Sequence, residues 1–248
     1  MEDNRFKEAD IQQLILRKKR IFGDIGDSVV VFEKAIMRGR TICDSLVFTE
    51  NRGLIGIEIK TERDTTNRLN KQLRDYEQVC DYTYVLCHDN HVGKVEKILN
   101  RYEHKHVGIL SYTEFRGEPM LGIYKEAEHS PSKSAFHMLD ILWKEEILKM
   151  LGTFRHYGQR VETATGTKFV STANRSGGVN GLYTKSPFGR SMRKPQLIYA
   201  LIKKVGGEEE ATKVFCDVFI HNRQHPEKAI KYHHFLVQPI IPEEVDHV

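Results

Sequence analysis

Asp44, Glu58 and Lys60 stand in the spacing D-x13-E-x-K, inside stretches that otherwise look like buried strand. In "LIGIEIKT" (54–61), Ile55, Ile57 and Ile59 look like core, yet Glu58 and Lys60 interrupt them. Strand side chains alternate with period two, so the isoleucines face one way and the charged pair the other. The upstream strand "TICDSLVF" (41–48) and the turn "TENRG" (49–53) complete a hairpin. If its turn centres on Asn51, paired positions sum to about 102, and Asp44 faces Glu58. Directly opposed Cβ atoms lie roughly 4.5 to 5.5 Å apart, so two carboxylates there repel unless a cation sits between them. Hard oxygen donors suit Mg²⁺, which lowers the pKa of a bound water and stabilises charge on a phosphate. Lys60, on the same face, could position the water and touch the phosphate. Glu103-His104-Lys105 repeats the E-x-K pattern, but in a polar link with no facing acid, so it is set aside.

The elements that must position this trio follow from periodicity. "FKEADIQQLILRKKR" (6–20) is a short amphipathic helix carrying Ile11, Leu14 and Ile15. "SVVVFE" (28–33) is β-branched and extended. "TTNRLNKQLRDYEQVC" (65–80) sets Leu69, Leu73, Tyr76 and Cys80 at helical spacing, with Asp64 as an expected N-cap. A strand at 82–87, a helix at 92–102, a strand at 106–112 and a hairpin arm at 118–127 follow. The order α-β-β-β-α-β-α-β implies an α/β domain with a mixed central sheet flanked by helices. The domain core is expected over residues 1–128, with "HSPSK" as the boundary. A mainly helical region is expected over 129–248, beginning with the long amphipathic stretch 135–154.

At this point the residues resemble the PD-(D/E)XK nuclease superfamily. Asp44 matches the first motif acid, with Cys43 where the motif name has Pro, and Glu58-Ile59-Lys60 matches (D/E)XK. Gln72 and Tyr76 match the Q-x3-Y element of RecB-type nucleases and share a helix face at i and i+4. "KEADI", "VVVFE", "CDSLVF", "IEIKTERDTTNRLNKQLRDYEQVCDYTYVL" and "LWKEEILKML" resemble, more closely, a family of bacterial and phage proteins assigned as nucleases of this type. The resemblance spans about residues 7–153. It implies a restriction-endonuclease-like fold and a Mg²⁺-dependent deoxyribonuclease, with Mn²⁺ able to substitute. Asp44, Glu58 and the Ile59 carbonyl would ligate the metal, with Glu8 or Glu33 completing the shell. Lys60 would orient the water and stabilise the transition state, with Gln72 and Tyr76 in support. Arg68, at the helix start, would touch phosphate or face solvent.

The bulk numbers fit an ordinary globular chain. It has 248 residues, 40% of them hydrophobic and 29% charged, with a formal net charge of +4. No stretch approaches a membrane span and the N-terminus has no apolar signal core, so a cytoplasmic location, bacterial or in a phage-infected host, is expected. The four cysteines form no CxxC pair and are expected as buried free thiols. His88 and His91, His104 and His106, and His233 and His234 are the tightest histidine sets, and none has a metal-ligand pattern; surface histidines are expected.

Between 152 and 195 the charge is lopsided. Arg155, Arg160, Lys168, Arg175, Lys185, Arg190, Arg193 and Lys194 stand against Glu162 alone, among Gly, Ser and the rings of His156, Tyr157, Phe169, Tyr183 and Phe188. Cations interleaved with aromatics suit phosphate contact and base stacking, so DNA is the expected partner of this segment. A homodimer or a partner protein is left open. Two other readings stand beside the nuclease: a non-cleaving nucleic-acid- or partner-binding module that kept the fold, and a nicking subunit directed by another protein.

Overall fold

The computed structural model describes residues 6–157, 160–163, 166–169 and 192–221. The chain forms two compact units, Met1–Ile141 and Leu142–Val248.

The first unit is built on a six-stranded sheet in the order β1-β2-β3-β4-β5-β6. The strands are β1 (Ser28–Ile36), β2 (Thr41–Thr49), β3 (Leu54–Lys60), β4 (Tyr82–His88), β5 (Gly108–Phe115) and β6 (Glu118–Lys125). The β1–β2–β3 meander is antiparallel, β3, β4 and β5 run parallel, and β6 returns antiparallel. The parallel pairs need crossovers, supplied by α2 (Leu69–Val79) and α3 (Asp89–Arg101). The α/β architecture with a mixed sheet is therefore as the element order implied.

Two apolar layers sandwich the sheet. On one face α1 (Glu8–Arg17) sets Ile11, Leu14 and Ile15 against Ile55, Ile57, Ile59, Tyr84 and Leu86. On the other, Leu69 and Leu73 of α2 and Val95 and Leu99 of α3 pack on Val85, Cys87 and Ile109. Burial of β3 is complete from Leu54 to Lys60. Its polar face is thus roofed by α2 rather than open to water, and a charged residue there must be partnered. All four cysteines are buried free thiols.

A short α4 (Ala135–Leu139) closes the first unit. The long helix expected over 135–154 is broken after it. Ser134 Oγ caps α4, and α5 (Lys144–Tyr157) starts afresh where the Glu146 carboxylate takes the Trp143 amide at 2.5 Å. The second unit contains α5, a β7–β8 hairpin (Arg160–Thr163, Gly166–Phe169), α6 (Lys194–Val205) and α7 (Glu208–His221). Ile147, Leu151, Leu197, Leu201, Phe215 and Phe219 are buried there. No helix among the described residues is long and apolar enough to cross a membrane.

Candidate active site

The β2–β3 register is the one the turn implied: Ser45 pairs with Ile57, Leu46 with Gly56 and Val47 with Ile55. The ladder ends at Ser45. One step further, Asp44 Oδ2 accepts the Ile59 amide hydrogen at 2.7 Å, so the side chain takes over from a backbone carbonyl. The Ile59 backbone, expected to offer its carbonyl, is held here through its amide. Glu58 is fully buried and its carboxylate is surrounded by donors. Lys60 Nζ donates to Oε1 at 2.5 Å, Gln72 Nε2 donates to the same oxygen, and Tyr76 Oη donates to Oε2 at 2.8 Å. Tyr76 Oη also accepts the Asp44 amide hydrogen at 3.0 Å. Asp44, Glu58, Lys60, Gln72 and Tyr76 are therefore one connected network, with the helix tyrosine bridging the two acids.

Burial, and then the neighbouring Glu58 charge, push the Asp44 carboxyl up to about 7, against the opposing Ile59 amide and Lys60 ammonium. Glu8, the first residue of α1, belongs to the same field. Burial, then Asp64 and Glu33, raise its carboxyl above the ordinary value, and Glu58 adds to the effect.

Glu33 does not end its strand, as expected, but interrupts it. Phe32 pairs with Ser45 and Lys34 with Cys43, leaving Glu33 opposite Asp44 and outside the ladder. Its φ is +52°, a left-handed conformation that costs an L residue about 1 kcal/mol or more. Such strain concentrates where a side chain must be aimed. Glu33→Gly is expected to be more stable than Glu33→Ala by about 1 kcal/mol, read from denaturant midpoints.

Asp64 does not cap α2. Its carboxylate instead accepts the Thr61 amide and hydroxyl hydrogens, each at 2.7 Å, and so shapes the turn after Lys60. Arg68 sits exposed at the N-cap of α2. Glu103 and Lys105, the discarded E-x-K, form a solvent-exposed pair at 2.8 Å.

Two residues that position the site were not singled out by sequence reading. Asp75, between Gln72 and Tyr76, is buried and takes Arg40 and the Thr41 hydroxyl, clamping α2 to the start of β2. Gly56 lies two residues before Glu58 on the same strand face. A Cβ there would lie 2.6 Å from Tyr76 Cδ1 and 2.7 Å from Cys80 Sγ, so the tyrosine ring rests directly on the β3 backbone. A glycine in an otherwise β-branched strand was the available signal for that close approach.

The expectation that the histidines are superficial fails for His91 and His104, which are buried. His91 Nε2 meets the Glu62 carbonyl at 3.0 Å. His104 bonds the buried Glu77 carboxylate through Nδ1 and Asn70 Oδ1 through Nε2 at 2.9 Å, and His106 Nε2 is 3.3 Å from the same carboxylate. The pattern hid this because the partners come from α2, some 30 residues earlier. Burial alone would raise the Glu77 carboxyl, but His104 and His106 outweigh it and hold it below the usual carboxylate range. A depressed folded-state pKa contributes stability above the unfolded value, near 4.5, and loses it as pH falls through the folded value. Glu77→Gln is expected to lower the melting temperature at neutral pH, with the difference from wild type narrowing below about pH 4.5. His233 and His234 lie outside the described residues.

Of the basic positions, Arg155 falls in α5, Arg160 in β7 and Lys168 in β8. Arg193 and Lys194 begin α6, where the Arg193 amide donates to Gln196 Oε1 at 2.9 Å. Arg175, Lys185 and Arg190 lie outside the described residues.

As a metal site the donor set is small. Among the described residues, no group of three His, Cys, Asp or Glu side chains is gathered so as to hold an ion. Mg²⁺ asks for less than that: it keeps several waters and is often bound by one or two carboxylates. Asp44 and Glu58 are the two carboxylates the site offers, and the upward push on Asp44 comes from its partial burial and then from the Glu58 charge.

Among the solved structures, a similar chain is the SPO1766 protein of unknown function from Silicibacter pomeroyi, at 15% identity and a TM-score of 0.31. The match covers 42% of this chain and 62% of that one, and carries no argument about fold or activity. No curated protein matches. The family model that matches is that of bacteriophage P4 protein cII, over residues 1–176. That span is well over half of the sequence and includes every residue of the network above, and the chain belongs to the bacteriophage P4 protein cII family.

Proposed function

We propose that this chain is a metal-dependent nuclease of the PD-(D/E)XK type that hydrolyses phosphodiester bonds in DNA, as an endonuclease. One observation carries the reading: Lys60 and Glu58 of β3 are hydrogen-bonded beside Asp44 of β2, with Gln72 and Tyr76 of α2 bonded to Glu58 and Tyr76 also taking the Asp44 amide. A purely structural strand would not be expected to bury a carboxylate and an ammonium beside a half-buried second acid where apolar side chains would pack at lower cost.

Asp44 and Glu58 would hold Mg²⁺, or Mn²⁺ in its place, with Glu8 or Glu33 turned toward it. When bound, the ion supplies Lewis-acid polarisation of the phosphate and a more acidic water. The remaining work belongs to the chain. Lys60 holds a positive charge where the phosphorane charge develops. Gln72 Oε1 is buried without a hydrogen-bond partner, and can accept a hydrogen from an attacking water or from the Lys60 ammonium. Tyr76 keeps the two acids in fixed relation. Arg68 and the cations from Arg155 to Lys194 would contact the DNA backbone.

The test is incubation of purified protein with supercoiled, linear, single-stranded and branched DNA, with Mg²⁺ or Mn²⁺, beside Glu58→Gln. Cleavage by wild type alone supports the reading. Tight binding of every substrate with no cleavage would replace it with a non-cleaving nucleic-acid-binding module that kept the nuclease fold.

A further inference from the structure

The run Arg17-Lys18-Lys19-Arg20 begins at the last residue of α1 and takes no part in the site above. Cations at a helix C-terminus are favoured by the helix dipole and commonly do nothing more than face water. Here their setting differs. The four residues line an open groove of about 600 Å³ together with Leu16, Ile21 and Leu121. Arg17, Lys18 and Arg20 are exposed, while Lys19 Nζ turns back to Ser28 Oγ at 3.4 Å. Four positive charges in one concavity equal the formal charge of the whole chain, which is +4. The other three lining residues are aliphatic, so the groove pairs cations with apolar surface that can meet a sugar or base.

We propose that this groove is a second subsite for the phosphate backbone of a nucleic-acid strand, separate from the reacting phosphate; its spacing from that phosphate rests on the nuclease reading. The geometry of α1 supports the link. Glu8, at its N-terminus, lies in the field of Asp44 and Glu58, and Arg17 closes its C-terminus. Ten residues at a rise of about 1.5 Å place the two ends about 15 Å apart. At a charge spacing of about 3.4 Å per strand, that distance is about four to five nucleotides. A strand that leaves the acid pair and runs along α1 would bring a later phosphate to the groove.

The test is equilibrium binding of a labelled DNA duplex in EDTA, which removes cleavage, across a KCl series. Wild type is compared with Arg17→Gln/Lys18→Gln/Arg20→Gln and with the corresponding triple Glu variant. Melting curves and circular dichroism confirm that these exposed substitutions leave the fold intact. Loss of three phosphate contacts is expected to flatten the slope of log K against log salt by about 2.7, at about 0.9 per contact, with a larger affinity loss for the Glu variant. An unchanged slope overturns the proposal. So does binding of the wild type, but not the variants, to phosphatidylserine vesicles while DNA binding is unaffected, because the groove would then serve a lipid headgroup. A protein that binds DNA through the groove but cleaves nothing keeps this inference and removes the nuclease reading. A protein that cleaves normally with an unchanged slope does the reverse.

Discussion

Glu58→Gln is expected to lower DNA cleavage by about a thousandfold or more, with the fold retained. The carboxylate is the hub of the site. It takes hydrogen bonds from Lys60, Gln72 and Tyr76 and lies beside Asp44. A glutamine fills the same volume and can still accept from two of those donors, but it carries no charge. The loss of one preorganised charged group in a buried site commonly costs about 10² to 10³ in rate, and a lost metal ligand adds to that. Glu58→Ala is a different experiment. It leaves the Lys60 ammonium, only 8% exposed, without its counter-ion, and removal of one partner of a buried pair costs about 3 to 5 kcal/mol. The Ala variant is therefore expected to unfold at markedly lower denaturant concentration, while Gln shifts the midpoint less. If Gln cleaves as well as wild type, the Glu58 network is structural and the active site lies elsewhere in the chain; if neither cleaves, the nuclease reading is wrong. The stability contrast between Gln and Ala follows from burial alone and stands in either case.

How far the sequence already carried this arrangement can be judged from the same residues. The Asp44–Glu58 relation followed from a turn centre and strand alternation, both short-range rules, and the observed Ser45–Ile57 pair confirms the register. Gln72 and Tyr76 share a face by helix geometry alone. What local rules could not supply is how tertiary neighbours use a residue. Glu33 looked like a strand end because the apolar run stops there; only the pairing on either side shows it held out opposite Asp44. Asp64 looked like a cap because caps and turn acids use the same residue types, and the choice between them depends on which amide is nearest. His104 looked superficial because its partners, Glu77 and Asn70, lie on a helix distant in the sequence. Asp75 was hidden inside a motif whose named positions are its neighbours.

Gly56 is the clearest of these omissions, and substitution there is expected to disable the site without touching a catalytic group. An added Cβ would lie 2.6 Å from Tyr76 Cδ1, 2.7 Å from Cys80 Sγ and 3.2 Å from Tyr76 Cε1. Real Cβ contacts do not come as close as the first two, so the ring or the strand must move. Tyr76 is fully buried and Leu73 and Val79 on the same helix are too, so α2 has little room to absorb the shift. Overpacking of this kind costs about 1 to 3 kcal/mol for one methyl group, and more for Val. The displaced ring carries Tyr76 Oη, which holds the Asp44 amide at 3.0 Å and Glu58 Oε2 at 2.8 Å. A misplacement of about 1 Å in a positioned group can cost about a hundredfold in rate. Gly56→Ala is therefore expected to lower the unfolding midpoint and to reduce cleavage by about that factor. Pairing it with Tyr76→Phe separates the two effects. If Gly56 acts through the hydroxyl, the double variant should lose little more activity than Tyr76→Phe alone, while the stability losses persist. Full additivity of the activity losses would mean that the glycine supports the site by another route, through Cys80 or the strand itself.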